Sequence, residues 1–239
     1  MIFESSDWHE QPQGLSGNAK MFIRMGKERN ADMVVNGDIL DLLPLGKEKF
    51  EGSPVAEQFV EELDGYPIIL VAGNHDPYPW LCELFRGERN IEVEREYWAP
   101  EGEQWFYFHH GHTWVPDWWF LRHIAPGLVE FMVEHLPQQW YWLSRRMGWL
   151  PGTAVREGEW REPGYPPLVE LLWRKGWEYG QKHGCVVVIG HTHCPVALRS
   201  FYPETGSRAS FIDGGTLMNY TYVEIKDGDA KLQALEQAL

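Results

Sequence analysis

Cationic side chains are scarce in this sequence: 21 Lys and Arg stand against 35 Asp and Glu, a formal net charge of −14. A chain so short of basic surface has little with which to displace counterions, which argues against nucleic acid as the main partner. Cysteine is scarce too. Cys82, Cys185 and Cys194 are scattered and odd in number, so they give no disulfide framework. No apolar run approaches the roughly 20 residues needed to span a bilayer. The opening MIFESSDWHE has neither a basic nor an apolar signal region, so a cytoplasmic protein is expected. Internal repeats and low-complexity tracts are also missing.

Apolar and aromatic residues are plentiful. Hydrophobic residues make up 44% of the 239 positions, enough for a substantial core in one large domain, 1–239. Of the 13 tryptophans, six fall between Trp114 and Trp149. That segment is punctuated by Pro and Gly and lies between two strand-like stretches. It predicts an inserted helical, aromatic lobe over 114–165. Such a lobe can simply pack its own small core. Alternatively it roofs a site for an apolar or membrane-derived substrate, with Trp118, Trp119, Phe120, Trp140, Tyr141 and Trp142 as contacts and Arg122, Arg145 and Arg146 for phosphate or sugar. Peripheral membrane contact through this insert is then expected.

Hydrophobic patterning places a short strand at 1–5, a helix over 15–29, and a buried strand in ADMVVNGDILDLL (31–43). A helix over 54–66 stops near Gly65, and PIILVAGNHD (67–76) is another buried strand. Two strands around a Pro-Glu-Gly turn are expected over 91–114, a helix over 166–183 and a strand over 185–189. The tail from 197 to 232 is broken by PETG, DGG and KDGD, which suggests hairpins. Helices alternating with strands, then strands joined by short turns, predict an α/β sandwich of mixed sheets.

Five strand ends carry residues of types able to bind metal. They read Asp7-Trp8-His9, Gly37-Asp38-Ile39-Leu40-Asp41, Gly73-Asn74-His75-Asp76, His109-His110-Gly111-His112 and Gly190-His191-Thr192-His193. In open α/β sheets, sites form beyond the carboxyl ends of strands. Taken singly, Asp7 and Asp38 would serve as helix caps and Asn74 as a turn residue. Those readings do not explain why every candidate falls at a successive strand end. The glycines would permit sharp turns and close backbone approach.

The order D-x-H, G-D-x-x-D, G-N-H-D, H-G-H, G-H-T-H resembles the calcineurin-like metallophosphoesterases, from residue 7 to residue 193. The resemblance implies a four-layer α-β-β-α sandwich and a dinuclear metal site. Asp7, His9 and His193 would hold one ion, Asp38 would bridge, and Asn74, His110 and His191 would hold the other. His109, His110 and His112 compete for one slot, and in the family the ligand directly precedes Gly. His112 would then stand behind the ligands, and His109 would point into the core. Imidazole and carboxylate donors suit Mn, Fe or Zn. A hydroxide bridging such a pair would attack phosphorus. His75 would lie beside the metals and protonate the leaving oxygen, with Asp41 orienting it and raising its pKa.

The expected substrate is a phosphorylated small molecule or lipid-linked compound. With the apolar insert, the layout is similar to the UDP-diacylglucosamine hydrolases, although that group has Arg where this chain has His75. A serine/threonine protein phosphatase is the alternative, but Leu42-Leu43 stands where its Arg-Gly is expected. A non-catalytic scaffold of this fold is the other alternative; such scaffolds tend to have lost ligands that are present here. Cys194 fits a small buried residue, and His123, His135 and His183 fit structural or exposed roles.

Overall fold

The computed structural model describes residues 1–114, 167–198, 211–217 and 220–235. Apart from Trp114, the expected insert, with its other tryptophans, arginines, His123 and His135, lies outside the described residues, as does the PETG turn.

Two mixed sheets form the frame. The first has the order β11-β10-β1-β2-β3-β4, built from β1 (Ile2–Ser5), β2 (Asp32–Asn36), β3 (Ile68–Val71), β4 (Ile91–Glu94), β10 (Thr221–Lys226) and β11 (Asp229–Ala234). Strands β1 to β4 run parallel, and β10 joins β1 antiparallel. The second sheet has the order β5-β6-β7-β9-β8, from β5 (Tyr97–Glu101), β6 (Gln104–Phe108), β7 (Val186–Ile189), β8 (Val196–Leu198) and β9 (Phe211–Asp213). Here β6, β7 and β9 are parallel, while β5 and β8 pair antiparallel at the two edges.

Alternation along the strands sorts the core into three apolar layers. Phe3, Met33, Val35 and Leu70 face the helices α1 (Gly17–Glu28) and α3 (Pro54–Leu63), meeting Phe22, Ile23, Val55 and Phe59. Their neighbours Ile2, Val34 and Val71 point the other way, against Phe106, Phe108, Val186 and Val188 of the second sheet. The far face of that sheet, with Tyr107, Val187, Ile189 and Phe211, packs on Val169, Leu172 and Trp173 of a long helix, Pro167–His183. Helix, sheet, sheet and helix thus stack in four layers. Strands buried on both faces read as unbroken apolar runs, as VVVI does at 186–189.

Local chemistry sets the ends of these elements. Ser16 caps α1 by accepting from Ala19 N–H at 3.2 Å, while buried Glu10 accepts from Ser16 N–H at 2.7 Å. Helix α3 stops at Leu63, before the left-handed Asp64 and Gly65, so it is shorter than the sequence pattern suggests. Asp227 and Gly228, with φ of 54° and 77°, make the tight turn between β10 and β11.

Over 91–114 the strands expected around the Pro-Glu-Gly turn form as β5 and β6, but the stretch before the turn divides. The first of the two expected strands is in fact two, β4 in the first sheet and β5 in the second. The polar run Glu94-Arg95-Glu96 breaks the apolar pattern there, and the chain crosses between sheets. Pro100 pairs with Trp105 on an edge strand, where a missing N–H costs no ladder bond. The short helices α2 (Leu42–Leu45) and α4 (Tyr78–Leu84) also escape the sequence pattern, being too brief to show a period. With these counted, Pro167–His183 is α5.

Candidate metal centre

All five motif-bearing segments meet at one end of the two sheets. The loops after β1 and β2 are zipped together by Asp7 N–H to Gly37 O at 3.0 Å and His9 N–H to Asp38 O at 2.9 Å. Asp7 then crosses to the second sheet, where its Oδ2 accepts His191 N–H at 2.9 Å. Five candidate donors adopt left-handed backbone conformations: Asp7, His9, Asp38, His191 and His193, with φ between 49° and 71°. Such residues cost about 1 kcal/mol or more each and persist where the surroundings over-determine them.

Glycines make the convergence possible in two ways. Gly37 has φ of 85°, and a Cβ there would lie 2.3 Å from the ring of His110. Gly73 has no unusual φ; it is needed for space, because a Cβ would fall 2.1 Å from Asp38 Oδ1 and 2.3 Å from Asp38 N.

The donor atoms fall into adjoining groups. Asp7, His9 and His193 form one, with His193 Nε2 3.2 Å from Asp7 Oδ1 and 3.3 Å from His9 Nε2. Asp38, His110 and His191 form a second, with His110 Nε2 3.3 Å from Asp38 Oδ2 and 3.2 Å from Asn74 Oδ1. His9, Asp38 and His75 form a third that overlaps both. Ligands about 2.1 Å from one ion in tetrahedral or octahedral geometry would be about 2.9–3.4 Å apart, so these separations fit cation coordination. Asp7 Oδ1 is also buried without a hydrogen-bond donor, an acceptor that a cation would satisfy.

Ring tautomers are set from behind. His110 Nδ1 lies 2.8 Å from the Asn36 carbonyl, which can only accept, so Nδ1 carries the hydrogen and Nε2 faces Asp38. Asp41 Oδ1 takes His9 Nδ1 at 2.9 Å and His75 Nδ1 at 2.7 Å, and its Oδ2 accepts from Gln11 Nε2 at 2.5 Å. His109 is turned away from the donors. Its Nδ1 accepts Gly111 N–H at 2.9 Å, its Nε2 meets Thr113 Oγ1, and its ring stacks on Trp114 at 4.7 Å. His112 is half-buried, its ring centroid 5.5 Å from that of His110.

Charge follows this layout. Burial raises the cost of ionising Asp38, yet the His110 and His75 charges outweigh it and hold the carboxyl well below its usual range. Burial likewise opposes a charged His110, but Asp38 lifts its pKa to about 10. For His75, burial is outweighed by Asp38 and then Asp41, giving about 9. Asp41 supports the His75 proton as expected, although Asp38 is the stronger influence. Burial, together with the charge of His110, pushes His109 down to about 3.

Three buried residues have no role predicted from the sequence. Asp76 accepts backbone N–H groups from Gly73 (2.8 Å), Asp38 (3.1 Å), Ile39 (2.6 Å) and Leu40 (3.2 Å). It completes the Gly-Asn-His-Asp run, and its place at a strand end was the available signal. Asp213 and Thr192 are the other two. Cys194 is buried with its thiol pushed up to about 12 by burial, and His183 is exposed at the end of α5.

Residues 2–195 match the calcineurin-like phosphoesterases. The chain therefore belongs to the calcineurin-like phosphoesterase family and is a phosphoric ester hydrolase. No curated protein matches the sequence. A dimetal phosphatase from Danio rerio, 12% identical, shares the fold with a TM-score of 0.52 over 98% of this chain and 95% of its own. A phosphoesterase from E. coli aligns with 17% identity and a TM-score of 0.45, over 98% of this chain and 99% of its own. An archaeal phosphodiesterase aligns over the same shares with 14% identity and a TM-score of 0.41. Among the described residues, no helix is long and apolar enough to cross a membrane.

Proposed function

We propose that this protein is a two-metal phosphoesterase acting on a phosphorylated small molecule or a lipid-linked phosphate. In this reading Asp7, His9 and His193 hold one divalent or trivalent ion, Asn74, His110 and His191 hold the other, and Asp38 is shared. The observation that carries it is the pair of donor groups, Asp7/His9/His193 and Asp38/His110/His191, the donor atoms of each lying within 4.8 Å of one another. The donors are imidazole, carboxylate and amide oxygen, a set suited to Mn, Fe or Zn. Such ions, when bound, polarise the phosphoryl oxygens and make bound water acidic enough to attack near neutral pH.

The protein's own groups supply the rest. Asp7, Asp38 and His110 are buried, whereas the side chains of His75 and His193 are 26% and 22% exposed. Substrate therefore enters on the side of His9, His75 and His193. Held through Nδ1 by Asp41, His75 presents Nε2 to the leaving oxygen and gives it a proton. Two carboxylates set against two divalent cations leave a local positive excess, so an acidic protein can still attract phosphate. The complete donor set favours an enzyme over a scaffold of the same fold. Free Cys82, Cys185 and Cys194 agree with a cytoplasmic setting.

The test is hydrolysis of bis-p-nitrophenyl phosphate by metal-free protein with and without added Mn. Activity should require the metal and disappear in Asp38→Ala; equal activity in that variant would overturn the reading.

A further inference from the structure

The proposed chemistry leaves Thr192 and Asp213 without a task, and both are buried. Strand β9 ends on Asp213, beside the end of β7, and Gly214 N–H binds Ile189 O at 2.9 Å. Asp213 Oδ2 accepts from Thr192 Oγ1 at 2.5 Å and from Trp173 Nε1 at 3.0 Å, while Oδ1 accepts Gly215 N–H at 3.0 Å. The Thr192 hydroxyl also accepts Cys194 N–H at 3.0 Å. It gives its one hydrogen to Asp213 and takes one from the backbone, so its orientation is determined.

Thr192 stands between His191 and His193, whose φ values are 71° and 57°. Each conformation is disfavoured for a residue with a Cβ. Both histidines must nevertheless turn to different donor groups from a three-residue span. Within that span, Thr192 N–H binds Gly190 O at 2.9 Å, and Asp7 secures His191 N–H from the first sheet. The side-chain tie from the second sheet is Thr192 to Asp213. Because Trp173 belongs to α5, the same carboxylate links that helix to the loop.

We infer that Thr192 and Asp213 are positioning residues that hold the left-handed 191–193 turn, so that its two histidines address two different metals. The inference rests on the two-metal reading above. Partners that orient metal ligands typically change metal affinity or activity by about 10–100-fold when removed.

The experiment is Mn binding by the metal-free protein, followed by electron paramagnetic resonance of free Mn. Melting temperature and kinetics on bis-p-nitrophenyl phosphate are measured on the same samples. Thr192→Val should weaken Mn binding by about 10–100-fold and lower kcat by a similar factor, with KM within about 3-fold. Thr192→Ser, which keeps the hydroxyl, should stay within about 3-fold of wild type in both. Trp173→Phe should fall between them. A purely structural role would lower the melting temperature and leave Mn affinity and kcat unchanged. Wild type and Thr192→Val binding two ions equally would overturn the clamp alone. A wild type that binds no Mn would overturn the two-metal reading and the clamp with it. Should Thr192→Val fail to fold, unchanged Mn affinity in Trp173→Phe overturns the clamp.

Discussion

The two halves of the candidate metal centre are held by different means. On the first sheet, one buried carboxylate, Asp76, gathers four backbone N–H groups from two loops. On the second, buried Asp213 gathers two side-chain donors and one backbone N–H. Backbone donors are present whatever side chains surround them, so the first half hangs on a single residue. The second half depends on Thr192, Trp173 and Asp213, contributed by three separate segments. Damage should therefore be abrupt on the first side and graded on the second.

The largest effect lies where the halves join. Asp38 belongs to the first sheet yet contacts His110 of the second. Asp38→Ala should lower kcat/KM on a phosphodiester by at least about 1000-fold, or about 4 kcal/mol of transition-state stabilisation. A loss under tenfold would show that the halves do not share this carboxylate.

Unfolding in urea compares the two clamps directly. Asp76→Ala would strand four buried N–H groups and should cost about 4 kcal/mol, while Asp213→Ala strands three donors and should cost about 3 kcal/mol. The reverse order would show that Asp213, not Asp76, holds the more costly set of donors.

The proposed proton donation falls to the first sheet, since His75 and Asp41 both follow its strands. His75→Gln should slow esters of poor leaving groups by about 100-fold and leave p-nitrophenyl esters within about fivefold. Equal losses on both would remove the proposed role as acid.

The smallest effect concerns pH. His110, lifted to about 10 by Asp38 against the cost of burial, is charged at ordinary pH in the metal-free protein. A metal taking its Nε2 must displace that proton, so apparent Mn affinity should rise with pH by about tenfold per unit for each proton released. Calorimetry in buffers of different ionisation enthalpy measures that proton release, and affinity independent of pH from 6 to 8 would contradict it.

Much of this centre is legible in the sequence because its donors sit in short runs directly after apolar strands. The runs around Asp7, Asp38, Asn74 and His191 each follow a stretch of β-branched or apolar residues, and the structure brings them together. Between His109 and His110 the residues themselves do not decide, since both follow β6. The difference comes from side-chain surroundings: His109 stacks on Trp114, whereas His110 binds the Asn36 carbonyl and faces Asp38. Asp213 is harder still, because it lies twenty residues beyond His193 and reaches that run through a tertiary contact with Thr192. The crossing from β4 to β5 is hidden for a similar reason. Nothing local tells a strand which sheet it will join.

Calorimetric titration of Mn into metal-free protein counts the ions that these donors hold. Two ions per chain are expected, with both weakened in Asp38→Ala. A wild type that takes up no ion, or an Asp38→Ala that binds two as tightly, would contradict the two-metal reading.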